Sequence, residues 1–304
     1  MSKFHEYKKF IQEGDRVLVY MNRDSIVPII VNQDECLKIK FGEYPHTKMI
    51  GLEYGSQIES SKGKGYVYLL HPTPELWTIA VPHRTQILYT PDISFISLKL
   101  NLRPGSVVIE SGTGSGAFSH AIARTISNSG FLHTFEYHKH RADFAIKELE
   151  AHNLKDIVNV VHRDVCKDGF GLEGVADADL PAPWEAIPSA SKAFKKSIAG
   201  RICTFSPCIE QVQRTADALN MNNFFDIETI ECLARDYTSL NQTMPDIQTI
   251  INGDKVKFKF VKGKKRMLLQ DGEDNAHSSI LVSSPSLQTK GHTSYLTFAT
   301  YYNP

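Results

Sequence analysis

Residues 107–118 read VVIESGTGSGAF, and this stretch limits the possible folds more than any other. A β-branched run, Val107-Val108-Ile109, reaches the acidic Glu110. Glycines then stand at alternate positions, Gly112, Gly114 and Gly116, until a helical pattern begins at Phe118. The spacing predicts a strand, a tight turn and a helix N-terminus. Without Cβ atoms, such a turn lets backbone N–H groups approach a ligand closely, and the helix start adds partial positive charge. A nucleotide-like ligand suits the place. Many α/β folds also use glycines simply to turn tightly, so the ligand's identity must come from the rest of the chain.

After Asn101 strands and helices alternate, from VVIESG and SHAIARTISNSG through FLHTFEYH, KHRADFAIKELEAHNL and VNVVHRDV to the terminal SYLTFATYY. This rhythm predicts an α/β fold with a mainly parallel, doubly wound sheet and ligand groups at the carboxyl ends of its strands. Ahead of it, RVLVYMN, VPIIVNQ, LKIKFGEYPH and GKGYVYLL predict a small N-terminal antiparallel β-domain, taken as residues 1–75, with the main domain over 76–304. Thr73 and Pro74 read as the cap and first turn of one helix, and Pro91-Asp92 opens a second. Around 237–290 the periodicity fades. Lys255–Arg266 carries seven basic residues, and the polar run after it reads as a solvated, partly disordered insertion, or else as a surface facing RNA or serving nuclear import.

Thirty-four basic residues balance thirty-four acidic ones, so no global charge announces a nucleic acid or an anionic membrane. Binding of that kind must use a local patch or another subunit. The five cysteines are scattered without a C-x-x-C pair, which predicts a reducing setting and no structural metal. No apolar stretch approaches the roughly 20 residues that span a bilayer, so a soluble chain with no membrane partner is expected.

Glu136 ends the second strand of the main domain, twenty residues after Gly116, where a nucleoside site supplies a carboxylate to ribose hydroxyls. Arg141 positions that carboxylate, touches the ligand, or is an exposed helix charge. Asp164 ends the third strand and either accepts from an adenine amino group, with Val165 covering the ring, or caps a helix or turn. In Asp179-Leu180-Pro181-Ala182-Pro183-Trp184 two prolines stiffen the chain after a carboxylate, and an aromatic follows. That suits recognition of an amino-bearing base. His71, His83, Arg84, Thr85 and Gln86 form a polar cluster that either meets a ligand or ties the two domains together. Cys208 lacks a base and a glycine elbow, which predicts a buried structural thiol.

Together, ESGTGSG, HPTPELW, PHRTQILY, DLPAPWEA, FSPCIEQVQRT and GHTSYLTFAT resemble the catalytic subunit of the eukaryotic tRNA (adenine-58-N1)-methyltransferase family, from the N-terminus to about Asp236 and again from Gly291. The resemblance implies a class I, Rossmann-like methyltransferase domain that uses S-adenosylmethionine to methylate N1 of adenosine 58 in tRNA. It also implies nuclear residence and a heterotetramer with a related non-catalytic, tRNA-binding subunit. The cofactor pocket would comprise Leu88, the turn residues Glu110, Ser111, Gly112, Thr113, Gly114, Ser115, Gly116 and Ala117, then Glu136, Arg141, Asp164 and Val165. Asp179 would be the catalytic carboxylate. The tRNA would be held by His71, Pro72, Thr73 and Pro74, by His83 and Arg84, by Pro181 and Trp184, and by Ser206, Pro207, Cys208, Glu210, Gln211, Gln213 and Arg214.

One departure stands out. The apolar strand expected before the Asp-Leu-Pro motif is short, running from Ala176-Asp177-Ala178 straight into Asp179. Missing residues in a central strand predict a disturbed sheet register there. The competing readings are a tRNA-binding scaffold with an inactive cofactor site and a class I methyltransferase acting on protein or small molecules.

Overall fold

The computed structural model describes residue 4 and residues 7–22, 25–63, 65–81, 85–172, 177–180, 183–195, 199–235, 237–244, 251, 258–261, 264–267, 278–285 and 294–302, with the side chains of 177–180, 183, 240–244, 258–261, 264–267 and 278–280 outside the description. The chain divides into two compact units, Met1–Cys232 with Thr293–Pro304, and Leu233–His292.

The first unit begins with β1 (Arg16–Asn22), β2 (Ser25–Ile30), β3 (Cys36–Ile39), β4 (Gly42–Pro45), β5 (Gln57–Glu59) and β6 (Tyr66–Leu70). Four of these form an antiparallel sheet in the order β2-β1-β6-β5, and β3 and β4 pair as a separate hairpin. Alternation decides what each face buries: Val17, Val19, Val67 and Leu69 enter one core with Tyr44 and Met49. Leu18 points the other way, onto Trp77 of α1 (Pro74–Ala80). Thr73 starts α1 as expected, its hydroxyl accepting from Leu76 N at 3.3 Å, with Pro74 in the first turn.

The main domain follows with α2 (Thr90–Lys99), β7 (Val107–Ser111), α3 (Ala117–Ile126), β8 (Phe131–Glu136), α4 (Lys139–Ala151), β9 (Val158–His162), α5 (Val165–Asp168), β10 (Asp177–Leu180), α6 (Pro183–Ala193), β11 (Gly200–Ser206), α7 (Ile209–Met221) and β12 (Phe224–Glu231). The second unit holds β13 (Tyr237–Met244), β14 (Phe258–Val261), β15 (Lys264–Met267) and β16 (Ser278–Pro285), after which β17 (Tyr295–Tyr301) rejoins the first. The seven-stranded sheet runs β12-β17-β11-β10-β7-β8-β9. β7 pairs in parallel with β8 and β10, whereas β17 lies antiparallel between β11 and β12. Adjacent residues face opposite layers. Val108 and Cys203 pack with α2 and α3 residues such as Ile96 and Ile122, and Ile109 and Ile202 with α6 residues such as Ile187. From β7 the chain leaves to β8 on one side and later returns to β10 on the other, a switch point at which α/β sheets open a crevice beyond their strand ends.

The expected disturbance at β10 is absent. The four-residue strand holds continuous register, Asp177 to Val108, Ala178 to Ile109 and Asp179 to Glu110 on one side, and Asp177 to Arg201 through Leu180 to Thr204 on the other. Its neighbours explain this. β7 and β11 are buried on both faces by their own residues, so a short strand needs only the two ladders of backbone hydrogen bonds to stay aligned.

In the second unit β13 pairs antiparallel with β16 over its whole length, and β14 with β15. The stretch read as a partly disordered insertion therefore contains two antiparallel ribbons among its described residues. A two-stranded ribbon that buries neither face imposes no alternation on its sequence. Tyr237 and Leu281 on one face of the first ribbon and Thr238 and Ser284 on the other are all exposed, in keeping with this.

Candidate active site

At the end of β7 the turn takes the conformation the glycines permit. Gly114 has φ +54°, the left-handed region that favours glycine, and a Cβ there would come within 2.9 Å of Thr85 Oγ1, so that hydroxyl would have to move. Gly116, at φ +73°, precedes the first residue of α3. The turn is tied to the neighbouring strand by Gly112 N donating to Phe135 O at 2.7 Å, and to itself by Gly116 N donating to Thr113 O at 2.8 Å. Thr113 and Thr134 join their hydroxyls beneath it at 2.7 Å.

The turn borders a cavity of about 370 Å³. Its lining includes Leu88, every residue from Glu110 to Ala117, Glu136 and Arg141, so most of the expected cofactor set meets in one place. Thr85, Gln86 and Ile87 supply another wall, and Phe118, Phe205, Pro207 and Gln211 are the other lining residues among those described. Ser115 Oγ is buried without a hydrogen-bond partner in this lining. An unpaired buried hydroxyl is costly, and a polar ligand would relieve it.

Glu136 is the electrostatic centre. Its Oε1 accepts from His138 N at 2.9 Å, Arg141 Nε at 3.1 Å and Arg141 Nη2 at 2.6 Å, and its Oε2 accepts from Gly114 N at 3.1 Å. Burial alone pushes this carboxyl up, but the hydrogen bonds from Arg141, His138 and Gly114 and the guanidinium charge outweigh it and hold the pKa below the ordinary range. A carboxylate oxygen can accept more than once, so Oε2 keeps capacity for a ligand hydroxyl. Arg141 has the geometry of a group that positions this carboxylate, and it also lines the cavity.

Glu110, also buried, behaves oppositely. Ser119 Oγ donates to its Oε2 at 2.6 Å, yet desolvation, with the Glu136 charge adding to it, pushes its carboxyl up to about 7. The folded chain therefore holds this proton more tightly than the unfolded chain. The sign is the reverse of the usual carboxylate: stability falls as pH rises from about 4.5 to about 7, by roughly 3 kcal/mol in order of magnitude. In Glu110→Gln that loss should vanish. Urea midpoints at pH 5 and pH 8 would show the variant gaining on the unmutated chain as pH rises, and parallel midpoints would refute the raised carboxyl.

Asp164 and Val165 lie apart from this lining. Asp164 Oδ1 caps α5, accepting from Cys166 N at 3.2 Å and Lys167 N at 3.3 Å, and Val165 is buried against α6 residues. Of the two readings for Asp164, the cap is present. Asp179 stands opposite Glu110 in the sheet, at the carboxyl end of β10, with its side chain outside the described residues.

Among the residues expected to hold tRNA, Pro207 and Gln211 line the cavity and Ser206 is buried beside them at the end of β11. Glu210, Gln213 and Arg214 are exposed on the first turns of α7, where the Arg214 guanidinium lies 5.8 Å from the Trp184 ring centroid. Cys208 is exposed rather than buried, because it precedes α7 at the surface and donates its backbone N–H to Gln211 Oε1 at 3.2 Å. His71 packs its ring against Tyr54 at 4.8 Å, Pro72 and Pro74 are buried and Thr73 caps α1, so this segment joins the N-terminal sheet to α1. His83, Arg84 and Pro181 lie outside the described residues. Ile87, Phe118 and Phe205 went unanticipated, since apolar residues beside strands and helices carry the same pattern as core. Among the described residues no group of three or more His, Cys, Asp or Glu could hold a metal, and no helix is long and apolar enough to cross a membrane.

Known proteins resemble the chain over nearly its whole length. The curated catalytic subunit TRM61 of tRNA (adenine(58)-N(1))-methyltransferase from Candida albicans is 42% identical over 329 residues, covering 97% of this chain and 98% of the relative. The corresponding trmt61a subunit of Dictyostelium discoideum is 40% identical, covering 96% and 97%. Among solved structures, a SAM-dependent O-methyltransferase of Thermotoga maritima superposes with a TM-score of 0.74 at 27% identity, covering 97% of this chain and 95% of that one. The tRNA (m1A58) methyltransferase TrmI of Aquifex aeolicus superposes with a TM-score of 0.67 at 24% identity, covering 96% and 98%, and shares the fold. The fold is therefore that of the class I methyltransferases, as expected. The family model described as "tRNA methyltransferase complex GCD14 subunit" matches residues 65–301, a span that includes the glycine turn, Glu136, Asp179 and β17, and the chain belongs to that family.

Proposed function

We propose that this chain is the catalytic subunit of a tRNA (adenine-58-N1)-methyltransferase and transfers a methyl group from S-adenosylmethionine to N1 of adenosine 58. The observation that carries the reading is the cavity at the ends of β7 and β8, where Glu136 is fixed by Gly114 and Arg141 in a chain of this family. The residues present suit the cofactor: a glycine turn that a Cβ would obstruct, an unpaired buried Ser115 hydroxyl and a Glu136 oxygen with spare accepting capacity. Bound S-adenosylmethionine supplies an electrophilic methyl group on a sulfonium.

The chain's own work is then placement. Adenine N1 already carries an in-plane lone pair, so no covalent enzyme intermediate is needed and orientation accounts for most of the rate. Glu136 would take the ribose hydroxyls, and the first N–H groups of α3, which lack intrahelical acceptors, would meet the polar end of the ligand. Asp179, at the end of β10, would accept from the adenine 6-amino group, orient the base, and stabilise the positive charge that methylation puts on the ring. It could also take up the released proton. Trp184 would offer a stacking surface to a base extruded from the tRNA, at a cost of roughly a few kcal/mol.

A member of this family works within a complex. We propose that the partner is a related, non-catalytic tRNA-binding subunit, that the two form a heterotetramer, and that the assembly is nuclear. The balanced charge of this chain supports a shared RNA surface, because one subunit alone offers no net attraction to phosphate. Methyl transfer by the co-expressed complex to transcripts carrying adenosine or guanosine at position 58 tests the reaction. Transfer should occur only with adenosine, and methylation of both transcripts, or of neither, would overturn it. Sedimentation of the complex and imaging of the tagged chain test the assembly and its location.

A further inference from the structure

Two fully buried histidines lie beneath the glycine turn. His120, on the first turn of α3, reaches back to Gly116, with Nδ1 2.6 Å from the Gly116 carbonyl oxygen. Its Nε2 stands 2.7 Å from Nδ1 of His152, the residue that follows α4. The direction of these bonds can be deduced. A carbonyl oxygen only accepts, so His120 Nδ1 carries a proton. Burial holds His120 neutral, its pKa lowered to about 4 with the Arg16 charge assisting, so Nε2 is an acceptor and His152 Nδ1–H must donate to it. His152 is lowered further, to about 2, by burial, His120 and Arg16.

The Gly116 carbonyl thus receives two donors, His120 Nδ1–H and the helix N–H of His120 at 3.1 Å. Because the peptide unit is planar and trans, fixing that carbonyl also fixes the Ala117 N–H on its far side. Ala117 belongs to the cavity lining, and its N–H is one of those α3 leaves without an internal acceptor. The pair is held from the N-terminal side. Phe4 lies 4.8 Å from His120 and 4.6 Å from His152 between ring centroids, Trp77 meets His152 edge-on at 4.8 Å, and Arg16 sits 5.5 Å from the Trp77 ring. Among the described residues the charged groups that face the pair are Arg16 and Glu148, which act on each other.

We propose that His120 and His152 are positioning residues of the cofactor site, a neutral imidazole chain that locks the Gly116 carbonyl and so holds the Ala117 amide in place at the cavity. The inference rests on the reading of that cavity as the S-adenosylmethionine site. It also gives the N-terminal segment and α1 a role in cofactor binding without touching the cofactor.

The test uses the full chain with its partner subunit. His120→Leu and His152→Leu should weaken S-adenosylmethionine binding about tenfold, the equivalent of one hydrogen bond, and should raise the cofactor KM by more than they lower kcat. His120→Asn and His152→Asn place an amide nitrogen where Nδ1 stood, and should restore most of the affinity. Leucine variants that bind as well as the unmutated complex, or asparagine variants as impaired as the leucine ones, would overturn the proposal. A second readout does not depend on any variant folding: nitrogen-15 spectra of labelled histidine in the unmutated protein at neutral pH should show both residues as Nδ1–H tautomers, and an Nε2–H or charged His120 would overturn it. No binding of S-adenosylmethionine by the unmutated complex would instead overturn the assignment of the cavity.

Discussion

Asp179→Ala should lower methyl transfer to tRNA by at least about a hundredfold while leaving S-adenosylmethionine affinity nearly unchanged, as removal of one group aimed at developing charge does elsewhere. The expectation comes from the sheet. Asp179 is the third of four residues in β10, level with Glu110 on one side and Cys203 on the other, and therefore at the carboxyl edge where the cavity opens. The cofactor's expected contacts, the glycine turn, Glu136 and Arg141, are all left in place by the replacement, so binding should survive. Filter binding with labelled cofactor and single-turnover methylation separate the two quantities. Transfer reduced less than about tenfold would move the catalytic role to another group, and a parallel loss of binding would make Asp179 part of the cofactor's seat.

Glu136→Ala should act on the opposite quantity. Its carboxylate takes four N–H donors from three residues, and the substitution leaves Gly114 N, His138 N and Arg141 without their acceptor. Hydrogen bonds to a charged group contribute roughly 1.5–3 kcal/mol each, so losing the two expected to ribose hydroxyls should weaken cofactor binding by at least about a hundredfold. Stability should fall as well. Breaking a buried ion pair costs about 3–5 kcal/mol, and the lower end applies because the Arg141 side chain is 32% exposed. With the folded pKa depressed, this stabilisation is complete at neutral pH and is lost as the pH falls below about 4.5 and through the folded value. Calorimetric titration with cofactor and denaturant melts at pH 7 and pH 3 would show it. A variant that binds normally at pH 7 would refute the role, and an undiminished difference in stability at pH 3 would refute the sign.

Much of this site is legible in the chain because several constraints fall on the same residues. Glu136 is marked by its place at a strand end, its distance from the glycines and its chemistry, and the structure joins it to Gly114 through one hydrogen bond. Asp164 is less decidable, since capping and ligand binding use the same short acidic side chain at the same kind of position. The apolar walls are invisible for a different reason. Ile87, Phe118 and Phe205 obey the patterns of buried strands and helices, and only tertiary placement separates a cavity wall from a core. His120 is hidden in the same way within the regular spacing of α3, and its partner His152 lies 32 residues further on. The shortness of β10 misled by its sequence alone, because the strands that keep it in register are encoded before and after it.

β17 has a consequence for how the chain tolerates change. Glu231, the last residue of β12, pairs directly with Tyr295, the first of β17, so the sixty-residue unit Leu233–His292 leaves and re-enters the sheet at adjacent points. To the sheet it is a hairpin loop of unusual length. The entropy of closing such a loop grows only with the logarithm of its length, about 0.6 kcal/mol for each doubling. Segments can therefore be gained or lost between these two strands at little thermodynamic cost, and evolution can remodel what they connect while the cofactor turn, which follows β7 three strands along the sheet from β17, keeps its geometry.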